Sequence, residues 1–227
     1  LQQRMSSDVA HELRTPVTIL KSHLEAISEG VMEMDGAAAA SLLEETNRLE
    51  RIINDLRTIW ELEKGAGEVR LETIDLSTLL REMGDRIAKV AAQQQSTLAL
   101  ELEPGISILT DRERLARAAN NILINAVKHS GRGGAIRLSL RQSGGEILIA
   151  VTDNGPGIPE EALGRVFERF YRTDDSRNRE SGGAGLGLAI ASEAVRGLGG
   201  RIEARNNDGP GCTFTITLPA DPQKGAL

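Results

Sequence analysis

The sequence predicts two domains of different fold class: an all-α helical hairpin, which would form a four-helix bundle as a dimer, followed by an α+β two-layer sandwich. Two observations predict this division. Up to about residue 63, apolar residues recur at spacings of three and four. Beyond that point, segments that alternate apolar and polar residues are separated by helical stretches. A length of 227 residues, with 40% hydrophobic residues, fits one or two domains with a buried core.

The first domain is predicted to be two helices joined by a turn between Gly30 and Gly36. The apolar seams, spaced as in coiled coils and bundles, are Leu13, Val17, Leu20, Leu24, Ile27 and Val31, then Leu42, Thr46, Leu49, Ile53, Leu56 and Trp60. One hairpin has too little partner surface to bury both seams and the flanking Leu43, Ile52 and Ile59. Dimerisation into a four-helix bundle is therefore predicted, and a monomeric hairpin that packs on the second domain is the alternative.

A change of pattern marks the second domain. Two glycines in the segment EKGAGE interrupt the helical pattern there, as expected of a linker. The predicted boundaries are 1–63 for the hairpin, 64–70 for the linker, 71–219 for the sandwich and 220–227 for a tail.

Strands and helices alternate in the second domain. Segments with the two-residue period of half-buried strands are TLALELE, AIRLSLRQ, EILIAVTD, RIEARNN and TFTITLP. Helices are predicted at about 76–94, 111–129, 159–170 and 186–198. The segment QSGGE predicts a hairpin turn between two strands, and Asp111 is a predicted helix N-cap. Strands mixed with long helices predict a sheet that carries its helices on one face.

The composition excludes several kinds of function. A net charge of −6 and an isoelectric point near 5.3 argue against a nucleic-acid partner and against direct membrane contact of this fragment through a basic patch. The single cysteine, Cys212, excludes an internal disulfide and a thiolate metal site, and three scattered histidines argue against structural zinc. No run approaches the roughly 18 apolar residues of a transmembrane helix. Because the chain opens in mid-pattern without an initiator methionine, we expect a fragment of a longer protein.

The stretch HELRTP combines a histidine with a helix breaker. On a helical wheel of about 100° per residue, His11 falls roughly 165° from the apolar seam, and Thr15 lies about 40° from His11. The histidine is therefore predicted on the solvent face. Pro16 removes the N–H donor for the carbonyl of Glu12, so a bend is expected there. From these residues alone, His11 is either a reactive group on display or an ordinary surface histidine beside a kink.

Three glycine-rich stretches predict a site for an anionic ligand: DNGPGIP, GGAGLGLAI and GPGCTF. Glycine lets the backbone approach a ligand closely and present N–H groups to phosphates. A helix that begins at Leu186 would add the positive end of its dipole. The stretches match neither a Walker A loop, since no GK[ST] follows, nor a dinucleotide-binding fingerprint, since the glycine spacing differs.

The segment NNILINAVKHS places Asn121, Asn125, Lys128 and His129 on one helical face, opposite an apolar face. Amide oxygens suit a Mg²⁺ that keeps its waters and bridges phosphates, and a lysine can neutralise phosphate charge. A pair of buried, structural asparagines is the alternative interpretation.

HELRTP, NNILINAVKH, DNGPGIP, FERFYR and GGAGLGLAI occur in this order, and together they resemble the catalytic half of a bacterial two-component sensor histidine kinase. The resemblance covers residues 1 to about 219. It implies a dimerisation and histidine-phosphotransfer hairpin, followed by the ATP-binding domain of the gyrase, chaperone, kinase and mismatch-repair superfamily. The chain departs from the family's more frequent residues at His129, where tyrosine is common, and in GAG, where GTG or GSG is common.

The resemblance also implies a role for each matching residue. His11 would attack the γ-phosphoryl group of ATP, and Glu12 would accept from the other ring nitrogen and act as the base. Asn125 would hold Mg²⁺. Asp153 would accept from the adenine amino group, with support from Thr213 through water. The other nucleotide-binding residues would be Asn121, Lys128, His129, Gly155, Gly157, Arg172, Gly183, Gly185, Leu186 and Gly187.

The implied partners are a second copy of the chain and a response regulator, whose receiver-domain aspartate would take the phosphoryl group from His11. The implied location is the cytoplasmic side of a membrane-anchored receptor. The pattern Glu12-x-x-Thr15 resembles that of kinases that also dephosphorylate the regulator, in which Thr15 would position a water. Two other functions remain as alternatives: a non-kinase ATPase of the same superfamily, and a regulator phosphatase with little kinase activity.

Overall fold

A computed structural model of the chain describes residues 2–63, 69–172 and 184–220. Two long helices come first, α1 (Gln2–Ser28) and α2 (Gly36–Glu63). They pack against each other as a hairpin, with their apolar seams at helical spacing. Helix α1 continues through Pro16, which is buried. The predicted helical hairpin is confirmed.

The turn between the two helices lies where the glycines predict it. Gly30 has a φ of 70° just after α1 ends. Asp35 caps α2, because its side chain accepts a 2.8 Å hydrogen bond from the Ala38 N–H. These residues therefore end one helix and start the next.

The second domain follows as a run of seven strands and four helices among the described residues. Its elements are β1 (Leu71–Asp75), α3 (Leu76–Gln93), β2 (Thr97–Leu102), β3 (Ser107–Asp111), α4 (Arg112–Ser130), β4 (Ala135–Ser143), β5 (Glu146–Asp153), α5 (Glu160–Leu163), α6 (Gly187–Gly197), β6 (Arg201–Asn206) and β7 (Cys212–Pro219). Five strands form one sheet in the order β2-β4-β5-β7-β6, in which only β2 and β4 are parallel. Strands β1 and β3 form a separate antiparallel pair.

One face of the large sheet carries the helices. Burial alternates along β4 and β5, so that Leu138 and Ile149 point into the core while their neighbours are more exposed. Leu123 of α4 belongs to the same core, to which α3 and α6 also contribute. The predicted α+β sandwich is therefore confirmed.

The strands of the large sheet are the five that alternation predicts, and Asp111 caps α4 as expected, at 3.0 Å from the Arg114 N–H. Two expectations fail. The helix predicted at 159–170 is helical only over Glu160–Leu163, because Gly164 follows and the chain continues in turns. The pair β1–β3 is missing from the prediction, since β1 buries only Ile74 and so shows no alternation.

The hairpin packs on the sandwich through its second helix. Ile52, Leu56 and Ile59 of α2 form a buried cluster with Ala184 and Leu186, which precede α6, and with Ile190 in its first turn. We call these six residues the interdomain cluster. Arg117 of α4 adds a polar contact, since its Nη1 donates a 2.7 Å hydrogen bond to Oγ1 of Thr58. Packing of the hairpin on the second domain, the alternative to dimerisation, thus occurs, but it covers only part of the apolar seams.

Candidate functional site

Asp153 ends β5 at the centre of the sheet and is buried. Its Oδ1 accepts a 2.8 Å hydrogen bond from the Gly155 N–H, and its Oδ2 accepts from the Cys212 thiol at 3.2 Å. Strand pairing explains the second contact. Thr152 of β5 is opposite Thr213 of β7 in an antiparallel pair, so Asp153, which follows Thr152, lies next to Cys212, which precedes Thr213. The result is a buried carboxylate held on both oxygens.

The glycines after Asp153 allow the backbone to approach closely. A Cβ on residue 155 would lie 2.6 Å from the carbonyl oxygen of His129, so only glycine lets the end of α4 reach this loop. Gly157 has a φ of 79°, in the region that favours glycine, and it lies against the side chain of Asn206. The loop therefore joins the ends of β5, α4 and β6.

The polar face predicted for α4 borders this loop. Asn121, Asn125, Lys128 and His129 are all half-buried, whereas the opposite face is fully buried. Asn121 and Asn125 are thus less buried than the alternative of a buried, structural asparagine pair predicts. Side-chain oxygen Oδ1 of Asn121 would lie 3.4 Å from a Cβ on Gly187, so this face meets the first residue of α6.

The second glycine-rich stretch opens α6. Gly185 has a φ of 71° and lies against the backbone of Phe170 and Tyr171, which follow α5. No side chain among the described residues caps the helix at Leu186, so its first N–H groups are available to an anion. Arg172 is half-buried next to Tyr171, and Gly183 lies outside the described residues.

Cys212 contacts the carboxylate of Asp153 directly, whereas Thr213, for which the resemblance implies support of Asp153, does not. The Thr213 hydroxyl is 2.9 Å from that of Thr152 and donates to Oδ1 of Asn207 at 2.8 Å. Asn207 in turn donates to the backbone carbonyl of Asp153 at 2.9 Å. Thr213 is therefore linked to Asp153 only through Asn207. Cys212 is the residue that sequence reasoning missed. The alternation of side chains along β7 was the available signal, because the adjacent residues Cys212 and Thr213 face opposite sides of the sheet.

The segment HELRTP lies in α1, next to the interdomain cluster. Val9 and Leu13, on either side of His11 in sequence, pack against that cluster. The side chain of His11 itself lies outside the described part of the chain. Glu12 is half-buried and Thr15 is exposed. The helical turn that carries His11 and the loop that leads into α6 therefore border the same apolar cluster, which α2 joins to both.

Charged side chains of the hairpin differ in how far they are buried. Burial raises the pKa of Asp55 above its usual range, and the nearby Arg51 and Arg117 guanidinium groups oppose that shift. Lys21 and Glu25, one and two turns beyond Pro16, form an exposed 3.5 Å ion pair, which contributes little to stability.

Comparisons with known proteins agree with this architecture. The family described as His Kinase A (phospho-acceptor) domain matches residues 1–65, and the family described as Histidine kinase-, DNA gyrase B-, and HSP90-like ATPase matches residues 110–222. The mycobacterial sensor histidine kinase MprB is 31% identical, with a TM-score of 0.59, over 65% of this chain and 97% of that chain. The chain belongs to the sensor histidine kinase family.

Other matches span both domains of the chain. The histidine-protein kinase BaeS of Escherichia coli K12 is 35% identical over 221 residues, which are 97% of this chain and 47% of BaeS. The chain thus spans about half the length of that relative. Histidine kinase AdeS of Acinetobacter baumannii, at 27% identity, has a TM-score of 0.77 over 92% of this chain and 98% of its own. Histidine kinase ThkA in complex with response regulator protein TrrA has a TM-score of 0.80 over 97% of this chain and 62% of ThkA, and at 23% identity it shows the shared fold.

These matches confirm the resemblance seen in the motifs, and they identify the second domain as an ATP-binding domain. The phospho-acceptor match to residues 1–65 favours a kinase over an ATPase scaffold without phosphotransfer. Among the described residues, no helix is both long enough and apolar enough to cross a membrane.

Proposed function

We propose that the chain is an ATP-dependent protein-histidine kinase that phosphorylates His11 and passes the phosphoryl group to an aspartate of a response regulator. The observation that carries the proposal is the interdomain cluster. Val9 and Leu13, which flank His11, pack against this cluster, in which residues of α2 meet Ala184 and Leu186 before α6. A phospho-acceptor helix in contact with a nucleotide domain is the arrangement that phosphoryl transfer needs, since that reaction depends mainly on positioning and charge neutralisation.

The adenine of ATP would bind between α4 and the loop after β5. Asp153 would accept from the adenine amino group, for which its buried, acceptor-only carboxylate is suited. The positive φ of Gly157 turns the backbone without a side chain, which leaves room for the purine. Gly155 belongs to the same loop, and His129 would lie beside the ring.

The phosphates would bind where α4 meets the start of α6. Asn121 already borders Gly187 there, and the uncapped N–H groups from Leu186 onward offer a positive helix end. Lys128 and Arg172 would neutralise charge. Gly183 and Gly185 complete the glycine-rich stretch.

Asn125 would hold Mg²⁺. The described residues contain no group of three or more histidine, cysteine, aspartate or glutamate side chains able to bind a metal ion. Waters and the phosphates of the nucleotide would complete the coordination of such an ion, because Mg²⁺ dehydrates reluctantly. Such an ion supplies charge neutralisation during transfer of the phosphoryl group.

On α1, His11 would act as the nucleophile. Its neighbour Glu12 would accept the proton of the other ring nitrogen, which leaves a lone pair on the attacking nitrogen. Thr15 is exposed one turn beyond His11, where it would position a water against a phosphorylated regulator. The structure of ThkA with TrrA supports a receiver domain as partner, since this chain shares the ThkA fold.

We propose a homodimer for the hairpin, because Val17, Leu24, Leu43, Ile53 and Trp60 stay exposed after it packs on the sandwich. We propose the division 1–63, 64–70, 71–219 and 220–227 for the two domains, linker and tail. We also propose a place on the cytoplasmic side of a membrane-anchored receptor, as the resemblance of the motifs implies.

The central test is incubation with γ-labelled ATP and Mg²⁺. We expect a label that is lost in acid and kept in alkali, as a phosphoramidate is, and no label on the His11→Gln variant. His23→Gln is the matched control, since His23 lies on the same helix three turns away, and it should label like the wild type. A label that survives acid, or that persists in His11→Gln, would contradict the assignment.

A regulator phosphatase is the second candidate function, favoured by the exposed position of Thr15 one turn after His11. We expect Thr15→Ala to slow the loss of phosphate from a phosphorylated receiver domain while labelling of His11 continues. Thr18→Ala, an exposed threonine on the same helix, is the control. Equal phosphatase rates in the wild type and Thr15→Ala would exclude the role of Thr15.

A further inference from the structure

We propose that Cys212 is a positioning residue for ATP binding: its thiol holds the carboxylate of Asp153 in the orientation that selects adenine. The proposal rests on the proposed function, in which Asp153 accepts from the adenine amino group. It assigns a task to the chain's single cysteine, for which the motifs alone suggest none.

The contact is short and shielded from solvent. Sγ of Cys212 lies 3.2 Å from Oδ2 of Asp153, and the two residues are 5% and 3% exposed. The other oxygen, Oδ1, is held by the Gly155 N–H at 2.8 Å. With one donor on each oxygen, the carboxylate plane has a single orientation, and the remaining lone pairs point in defined directions.

The chemistry of the thiol suits this task. Burial, and then the charge and hydrogen bond of Asp153, raise the pKa of the Cys212 thiol far above its usual range, so the group keeps its proton. A protonated thiol donates to the carboxylate and is a weak acceptor itself. Asp153 therefore stays the acceptor at this position.

Orientation of this acceptor bears on the choice of purine. Adenine presents an amino donor at the position where guanine presents a carbonyl acceptor. A fixed carboxylate accepts from the first and repels the second. If the carboxylate turns, the hydrogen bond from the adenine amino group to Asp153 weakens. Binding of a guanine nucleotide, which makes no such hydrogen bond, is little affected.

Backbone packing holds the thiol itself in place. A Cβ on Gly211 would lie 1.9 Å from the carbonyl oxygen of Asp153, so the chain just before Cys212 is pressed against the residue it supports. Asn207 donates to the same carbonyl at 2.9 Å. The two strands are thereby joined at this point through both the backbone and the thiol of Cys212.

Two substitutions separate positioning from packing. Cys212→Ser keeps a donor but puts a hydroxyl among the apolar residues of the core, whereas Cys212→Val fills the space without a donor. If Cys212 only packs, valine should be the better replacement. If Cys212 positions Asp153, serine should be better for ATP, whatever its effect on stability.

The experiment measures Kd for ATP and GTP by calorimetry, with Mg²⁺ and the full chain, together with Tm. We expect Cys212→Val to weaken ATP binding about fivefold, with GTP binding nearly unchanged and Tm close to that of the wild type. Cys212→Ser should bind ATP within about twofold of the wild type. In labelling assays, Cys212→Val should raise KM for ATP with little change in kcat. Thr215→Val, a matched change farther along β7, should alter none of these values.

Other outcomes would overturn the proposal. Wild-type ATP affinity in Cys212→Val, or a greater loss of ATP affinity in Cys212→Ser than in Cys212→Val, would show that the cysteine only packs. Equal losses for ATP and GTP would exclude a role in selecting the purine. Failure of the wild type to bind ATP would instead overturn the proposed function along with this inference, so the two failures are distinguishable.

Discussion

The hairpin and the sandwich solve the burial of apolar side chains in different ways. The sandwich closes a core of its own, in which Leu123, Leu138 and Ile149 are at most 1% exposed. The hairpin does not, since Val17 and Leu43 keep 49% and 61% of their surface exposed. A two-helix hairpin has one seam per helix and no third layer to cover it. Its folding is therefore tied to contacts with other units, whereas the sandwich is self-contained.

The two faces of α2 show this dependence directly. Ile52, Leu56 and Ile59 are buried against the sandwich, and Ile53 and Trp60, on another face, are exposed. One helix thus serves two contacts: one within the chain, toward the nucleotide domain, and one available to a second copy.

The largest effect is expected from the core of the sandwich. Leu123→Ala should lower the free energy of unfolding of this domain by about 3 kcal/mol, since it leaves a cavity at a fully buried site. Ile124→Ala, the exposed neighbour on α4, should cost less than about 1 kcal/mol. Urea unfolding followed by circular dichroism measures both. Equal losses of stability in the two variants would mean that the core between the helices and the sheet is not closed.

Substitutions on the two faces of α2 are expected to affect different properties, namely labelling of His11 and dimer affinity. Ile59→Ala should weaken packing on the sandwich and slow labelling of His11 several-fold, while ATP affinity stays unchanged. Ile53→Ala should instead raise the dimer Kd by about tenfold, because it truncates an exposed seam residue. Labelling kinetics and sedimentation equilibrium measure the two. If Ile53→Ala left the dimer intact and Ile59→Ala disrupted it, the assignment of the faces would be reversed.

The smallest effect is expected from Asp55, where the two regions meet. Its pKa is raised by burial, so the docked state favours the protonated acid over the carboxylate. This contribution is complete below the ordinary pKa, near 3.8, and is lost as pH rises through the raised value. Docking should therefore be slightly tighter in mild acid than at neutral pH.

Asp55→Asn tests that dependence, because an amide has no charge to desolvate. The variant should be more compact than the wild type at neutral pH, and its radius of gyration from small-angle X-ray scattering should change less with pH. Glu50→Gln, an exposed residue on the same helix, is the control. A more open Asp55→Asn chain at neutral pH would show that the interaction of the carboxylate with Arg51 and Arg117 outweighs its burial.

The period of apolar residues predicted the strands and helices correctly where the burial of side chains follows that period. Leu138 and Ile149 lie in strands with strict alternation, and the polar face of α4 from Asn121 to His129 is placed as its spacing predicts. It failed at β1, where only Ile74 is buried, and at 159–170, where apolar residues continue past Gly164 without a helix. Pairing with the distant strand β3 decides the conformation of β1, whereas Gly164 ends the helix at 160–163.

The two fold classes, the order of the motifs and the family can all be inferred from the amino-acid sequence, because apolar periodicity and glycine placement are local properties. Tertiary structure alone decided that Cys212, and not Thr213, meets the carboxylate of Asp153, and that α2 divides its surface between the sandwich and a second face. Both depend on how β5 pairs with β7 and how α2 packs on α6. Residues that are far apart in the chain make these contacts, and their register is set by the packing of the whole domain.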